Sequence, residues 1–385
     1  MSLLYFDHAA SAPRREEVLE AMAPYLHGVV GNPSGSHRAA RESRRAIEEA
    51  RDVVAEALGV GPGGVIFTGG GTESCYMAIL GRAHYMWRDQ GPGEIIAGAT
   101  EHHAVLAAAE AAEVEGSAVS RLAPVDADGV IDVPALGAML RPTTVLVSVM
   151  TANNETGTIQ PVSEVANVVH RGAPFALVHT DAIAAAPWLD LRAATEGADL
   201  VSICAHKIGG PVNSGALIAR GAPGLSALID GGGQERGRRG GTVDVAAAVG
   251  LARAMQLVGA EREIAVREST RRRDALAHRL TAIDGVELTS ARVARLPGHV
   301  HVTVAGVASD ELLFLLDQSG VCASAASSCS SGATSASHVL AAMGVSAERA
   351  RGALRLTFGA ETTDADIDAL VAAFERALAS LRPGD

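Results

Sequence analysis

Short apolar runs alternate with longer amphipathic stretches along most of this 385-residue chain. Apolar positions recurring three and four apart mark helices, and brief apolar runs bounded by turn residues mark buried strands. Read this way, residues 38–59, rich in Arg, Glu and Ala, form an amphipathic helix, and 64–68 form a strand. Helix follows over 72–88, strand over 94–97, helix from His102, strand over 118–122 and helix from about Val133. Thr144-Val145-Leu146-Val147-Ser148-Val149 is a buried strand, with a helix after it over 162–171. Phe175-Ala176-Leu177-Val178 and Ala198-Asp199-Leu200-Val201-Ser202-Ile203 are two further buried strands. The alternation predicts an α/β fold with a mostly parallel sheet covered by helices on both faces. A long helical stretch covers 242–282, and its Arg271-Arg272-Arg273 run reads as a solvated face. Beyond it the rhythm changes. Strands over 286–289 and 299–304, a helix over 309–319 and a last helix over 363–382 predict a smaller α+β domain.

Composition narrows the class. With 48% hydrophobic residues, only 3% aromatics and 42 glycines, the core is expected to be Ala, Val, Leu and Ile, joined by many tight turns. A net charge of −12 argues against nucleic-acid or membrane binding by bulk electrostatics. No apolar run reaches the roughly 18 residues of a membrane span. The opening residues lack the basic and apolar segments of a signal peptide. Four cysteines, at 75, 204, 322 and 329, are too few for a disulfide scaffold and suit a reducing, cytoplasmic compartment. There is no C-x-x-C, and the Cys322/Cys329 spacing fits no usual zinc pattern, so no metal is expected.

The candidate chemistry begins with Asp181, in His179-Thr180-Asp181, and Lys207, in Cys204-Ala205-His206-Lys207. Each follows an apolar run, and parallel strands of an open α/β sheet present such ends to the ligand crevice. A carboxylate and a partly desolvated lysine there suit pyridoxal phosphate. The lysine bonds the cofactor and the acid keeps its pyridine nitrogen protonated. A surface acid and a surface lysine at loop ends are the alternative. Thr68-Gly69-Gly70-Gly71-Thr72 sits between a strand and a helix, as an anion cradle or a simple capped turn. The glycine-rich and basic loop over 231–242 binds an anion or only joins two elements. Cys329 lies among serines in a small-residue patch over 323–337, a setting that favours exposure and reactivity, although a lone Cys there can be inert. Cys322, beside Val321, reads as core. Arg355, within the strand-like Ala353-Leu354-Arg355-Leu356-Thr357, needs an anionic partner: an amino-acid carboxylate or a protein carboxylate.

Taken together and in order, these segments resemble the cysteine desulfurases, pyridoxal-phosphate enzymes of the class V aminotransferase group. The resemblance runs nearly end to end. It rests on Phe6-Asp7-His8-Ala9-Ala10, Gly31-Asn32-Pro33-Ser34, Gly71-Thr72-Glu73-Ser74, Glu101-His102-His103-Ala104, Asn153-Asn154-Glu155-Thr156-Gly157, His179-Thr180-Asp181-Ala182, Ala205-His206-Lys207, the 231–236 loop, Cys329 and Leu354-Arg355-Leu356. The interval from Cys329 to Ser337-His338-Val339-Leu340 resembles the subgroup with the longer cysteine loop. The resemblance implies the PLP-dependent aminotransferase fold (fold type I), with an N-terminal arm (1–15), a large cofactor domain (16–255) and a small domain carrying the cysteine loop (256–385). It implies that Lys207 holds the cofactor and later moves protons, that Asp181 pairs with the ring nitrogen and that His102 stacks on the ring. Gly71, Thr72, His206 and Cys204 lie at the phosphate, and Thr242 reaches the phosphate of the partner subunit in a homodimer. Asn154 and Arg355 bind the substrate carboxylate, Asn154 lying also near the ring and Asn32 on the substrate side. Cys329 takes sulfur from L-cysteine as a persulfide, leaving alanine, and passes it to an acceptor protein. That acceptor serves iron–sulfur assembly, tRNA or DNA thiolation, or another sulfur pathway.

Five positions depart from the family pattern. Ala184 stands where a glutamine usually meets the cofactor's ring oxygen, Cys204 where a serine or small residue is usual, Cys75 where asparagine is common and Val212-Asn213 where Lys-Gly is usual. They put cofactor affinity and rate in question and suggest a specialised member. Selenocysteine lyase or another β-lyase is the second reading, and a non-catalytic scaffold or sulfur relay the third.

Overall fold

The structure is a computed structural model and describes residues 3–221, 223–325 and 337–382. In chain order the strands are β1 (Leu4–Tyr5), β2 (Val65–Thr68), β3 (Gly93–Gly98), β4 (Ala118–Ala123), β5 (Thr144–Ser148), β6 (Leu177–Asp181), β7 (Leu200–Cys204), β8 (Gly215–Ala219), β9 (Val286–Leu288), β10 (His299–Val304), β11 (Val321–Cys322) and β12 (Ala353–Thr357). The main sheet runs β2-β8-β7-β6-β5-β3-β4. From β7 to β4 all pairings are parallel, whereas β8 lies antiparallel to both β2 and β7. Strands β3, β5, β7 and β8 are buried at every position, as a sheet covered on both faces requires. The helices Arg38–Leu58 and Val162–Gly172 cover one face, and Gly71–Gln90 and His103–Val114 the other.

Local chemistry sets the helix limits. His37, His102, Asp132 and Asp244 each accept a backbone N–H of the helix they open. Arg38–Leu58 ends on Gly59 at φ 64°, a left-handed conformation that glycine adopts without penalty. The predicted strand at Phe175 shifts. Phe175 is exposed, and pairing begins at Leu177 and runs on through Asp181, because Val178 to Asp181 are the buried positions. Strand β8 has no counterpart among the predicted elements.

A second core surrounds the antiparallel sheet β12-β10-β9 and the helices Ser309–Gln318 and Asp364–Leu381. The helix Val245–Thr281 joins the two cores, with Leu251 and Met255 in the first and Leu276 and Leu280 in the second. The N-terminus is stitched to the second core. Strand β1 pairs in parallel with β11, Asp7 bridges Thr357, and Phe6 is fully buried against Phe358. The Arg271-Arg272-Arg273 run is not simply solvated. Arg271 and Arg272 both pair with Asp364 at the start of the last helix, and the Arg272 and Arg273 side chains are only 15% and 13% exposed. Among the described residues, no helix is long and apolar enough to cross a membrane.

Candidate active site

Neighbouring parallel strands carry the site. Asp181 ends β6, and Lys207 follows β7 by three residues. The Asp181 carboxylate accepts the Ile183 N–H at 2.9 Å, and the Cys75 thiol lies 3.9 Å from its other oxygen. Neither partner is a cation. Burial therefore raises Asp181 to about 6, against the pull of the Ile183 N–H and of the Lys207 charge. Lys207 Nζ donates to the carbonyl oxygens of Ala9 and Ala10, the latter at 2.7 Å. Its charge also acts on His102, Cys204 and His206, so these side chains form one cluster around it.

His102 caps the helix His103–Val114 by accepting the Ala104 N–H on Nδ1 at 3.1 Å. Burial first, and Lys207 second, bring it down to about 4, so the ring is neutral near pH 7. A neutral flat ring suits stacking on a heterocycle. Gly71 and Thr72 open the 20-residue helix Gly71–Gln90, whose first N–H groups face no preceding turn. Two close approaches bring this loop to the strand ends. A side chain at Gly71 would come within 2.2 Å of Ile183, and one at Gly215 would come within 2.9 Å of Gly70. Cys204 is fully buried beside His206, and burial raises its thiol to about 12, so it is a thiol and not a thiolate.

A second group lies where the two cores meet. Arg355 of β12 donates to Asp7 Oδ1 at 2.8 Å and to the Asn154 carbonyl at 3.2 Å. Its Nε is buried with no hydrogen-bond partner among the described residues. The protein-carboxylate alternative for Arg355 is thus realised in Asp7, while its buried Nε is left without a partner among the described residues. The arm residues Asp7 to Ala10 join the groups, reaching Arg355 at one end and Lys207 at the other. Asp7 carries this link without having been singled out. Its signal was the Phe6-Asp7-His8-Ala9-Ala10 segment, to which no role was attached.

Two further contacts escaped the sequence. Ser337 donates to the Glu155 carboxylate at 2.5 Å, and burial raises Glu155 to about 7. His338 lies with its ring 4.6 Å from that of His103 and hydrogen-bonds the Glu101 carbonyl. Two predicted residues stand apart. Asn32 is exposed and accepts the N–H of its own turn residue Ser34. Thr242 is exposed and lines a separate cavity of about 100 Å³ with Thr68, Gly69 and Arg239. The basic loop is largely neutralised, since Arg239 pairs with Glu73 and Arg236 with Glu48. Cys322, expected in the core, is half-buried in β11. Cys329 lies outside the described residues.

The donor set fits pyridoxal phosphate: a buried carboxylate, a lysine after the neighbouring strand, a neutral flat ring and a glycine-opened helix start. Comparison with known proteins agrees. Residues 4–370 match the family model described as Aminotransferase class-V. The chain is 42% identical to the IscS-like cysteine desulfurase of Mycobacterium tuberculosis, over 99% of this chain and 97% of that one. It is 40% identical to the cysteine desulfurase IscS of Dictyoglomus turgidum, over 98% and 95% of the two chains. A solved NifS-like protein superposes with a TM-score of 0.92 at 32% identity, covering 98% of this chain and all of the other.

Proposed function

The chain belongs to the class-V aminotransferase family, and from that membership we propose that it is a pyridoxal-phosphate-dependent L-cysteine desulfurase, with its residues in the following roles. The observation that carries this reading is the buried Asp181, held by the Ile183 N–H and the Cys75 thiol, beside Lys207, in a chain about as long as its cysteine desulfurase relatives. Bound at this site, the cofactor supplies an electron sink that labilises bonds of the substrate amino acid.

The remaining roles belong to the chain. Lys207 Nζ would hold the cofactor and would also move protons at the substrate. Asp181 would stabilise a protonated ring nitrogen through its buried carboxylate. Neutral His102 covers one face of the ring. Gly71, Thr72 and His206 hold the phosphate, Cys204 lies beside it as a weak donor, and Thr242 serves the partner subunit's phosphate in a homodimer. Arg355 and Asn154 orient the substrate carboxylate, with Asn32 on the substrate side. Cys329 attacks the sulfur of the bound cysteine. The carbon–sulfur bond breaks, a sulfur–sulfur bond forms, and a proton reaches the β-carbon, leaving alanine and a Cys329 persulfide. The sulfur then passes to an acceptor protein in the cytoplasm. The same reading divides the chain into an arm (1–15), a large domain (16–255) and a small domain (256–385).

The test is alanine formation from L-cysteine with a reductant present, native protein against Cys329→Ala. Alanine from the native protein alone is expected. Equal alanine from both would remove Cys329 from the role, and none from a cofactor-loaded native protein would overturn the desulfurase reading.

A further inference from the structure

Side chains alternate between the two faces of a sheet along each strand. On the face under the helix Gly71–Gln90, Leu146, Leu177 and Leu200 of β5, β6 and β7 form an apolar row. Two residues further along each strand, the same face carries Ser148, His179 and Ser202, all fully buried. His179 sits between the two serines. Its Nδ1 lies 2.8 Å from the Ser148 hydroxyl and its Nε2 lies 2.9 Å from the Ser202 hydroxyl. A carboxyl stands at each end of this polar row. Glu101, 1% exposed, accepts the Met150 N–H on Oε1 at 2.6 Å, and its Oε2 lies 3.5 Å from the Ser148 hydroxyl. At the other end Ser202 is hydrogen-bonded to the Cys75 thiol, which lies 3.9 Å from Asp181 Oδ2. Buried polar groups cost free energy unless they are paired, and here each finds its partner in the next.

Counting donors orders the run. Cys75 has one S–H, and the Asp181 oxygen only accepts, so the thiol donates to Asp181. Ser202 then donates to the sulfur, and His179 must donate from Nε2 and accept on Nδ1. Burial brings His179 down to about 3, so the ring is neutral and has one N–H to give. Ser148 donates to Nδ1, and its oxygen is free to take a proton from Glu101. Glu101 can supply one only as a carboxylic acid. Burial, and then the charge of Asp181, raise Glu101 well above the usual carboxylate range, against the pull of the Met150 N–H. Lys207 acts on Asp181 in the opposite sense. Where asparagine is common in the family, this chain offers a thiol as the last donor.

We propose that Glu101, Ser148, His179, Ser202 and Cys75 are positioning residues for Asp181, a buried run of donors that begins at the Glu101 carboxylic acid and ends in a thiol hydrogen bond to the Asp181 carboxylate. Its bearing on catalysis rests on the reading of Asp181 as partner of the ring nitrogen, but the run itself does not. The test is infrared spectroscopy of the full-length, cofactor-free protein over a pH series, which needs neither cofactor nor turnover. At pH 9 a carboxylic-acid C=O band is expected in the native protein and not in Glu101→Gln. The C=O band of Asp181, assigned by its loss in Asp181→Asn, should disappear near pH 6 in the native protein. In Cys75→Ala that midpoint should rise by about half a pH unit or more, roughly threefold in the proton affinity, and Cys75→Ser should bring it back. Glu101→Gln keeps a neutral donor to Ser148 and should leave the midpoint in place. Ser202→Ala, a milder change, should shift the S–H stretch assigned to Cys75. Urea midpoints check that each variant is folded. A missing band at pH 9, or a midpoint that falls in Glu101→Gln, would show an ionised Glu101 and overturn the proposal. So would an unmoved Asp181 midpoint in folded Cys75→Ala, or an unmoved S–H stretch in Ser202→Ala.

Discussion

Arg355 shows how one residue's neighbours decide what it can do. Its two terminal nitrogens are engaged by Asp7 and Asn154, yet its Nε is buried and unpaired. On the proposed reading, a substrate carboxylate would meet this guanidinium, with Nε as its unpaired donor. Charge-assisted hydrogen bonds of this kind contribute about 1.5–3 kcal/mol, or a factor of roughly 10 to 150. Arg355→Ala is therefore expected to raise the Michaelis constant for L-cysteine by about that factor while leaving the visible absorbance of the bound cofactor in place. Steady-state kinetics beside a resting spectrum checks this. An unmoved constant would make Arg355 only the partner of Asp7. Motif position picked out Arg355, Lys207 and Asp181 in the sequence, but not Asp7, because its partner is 348 residues away.

At the scale of elements, the turn between β5 and β6 and the short helix His338–Ala342 are tied by Glu155 and Ser337. Burial raises Glu155 from 4.5 to about 7, so folding takes up a proton there. The sign follows from linkage. The stability is fully present below the unfolded value of 4.5 and is lost as pH rises through about 7. Glu155→Gln keeps an acceptor for Ser337 and has nothing to titrate. From pH 5.5 to 8 the native protein should lose ~2 kcal/mol relative to this variant, read from urea midpoints at the two pH values. Parallel pH dependence in both would show that Glu155 titrates as an ordinary carboxyl. Amphipathic periodicity made helices such as Arg38–Leu58 and Val162–Gly172 legible, though not Glu16–Met22, and the buried strands of the main sheet followed from their apolar runs. Strand β8 did not, since a five-residue run says nothing of antiparallel insertion between β2 and β7.

For the whole molecule, the helix Val245–Thr281 is the continuous element sunk in both cores. It sets how β12, with Arg355, faces the large sheet that carries Lys207. Proline at an exposed position between the two buried segments would remove one main-chain hydrogen bond and kink the helix, costing about 3 kcal/mol or more. Glu263→Pro is expected to lower the denaturation midpoint accordingly and to raise the Michaelis constant for L-cysteine, with Glu263→Ala close to the native protein. Circular dichroism melts and kinetics on the two variants check this. A proline variant with native stability and kinetics would mean the cores hold their relation without the helix.

The sequence by itself determined what depends on short range and on spacing. It specified the alternation of helix and strand, the acid that ends β6 and the lysine that follows β7, the glycine-opened helix start and the ordered segments that mark the family. The tertiary structure alone decided what depends on residues far apart in the chain. It threaded the arm between Arg355 and Lys207 and turned Arg271 and Arg272 into ties to the last helix. It also joined Glu101 to Cys75 through Ser148, His179 and Ser202. Periodicity shows which face of an element is apolar, but not which other element covers it. Burial and charge at a site are sums over residues that only the folded chain brings together.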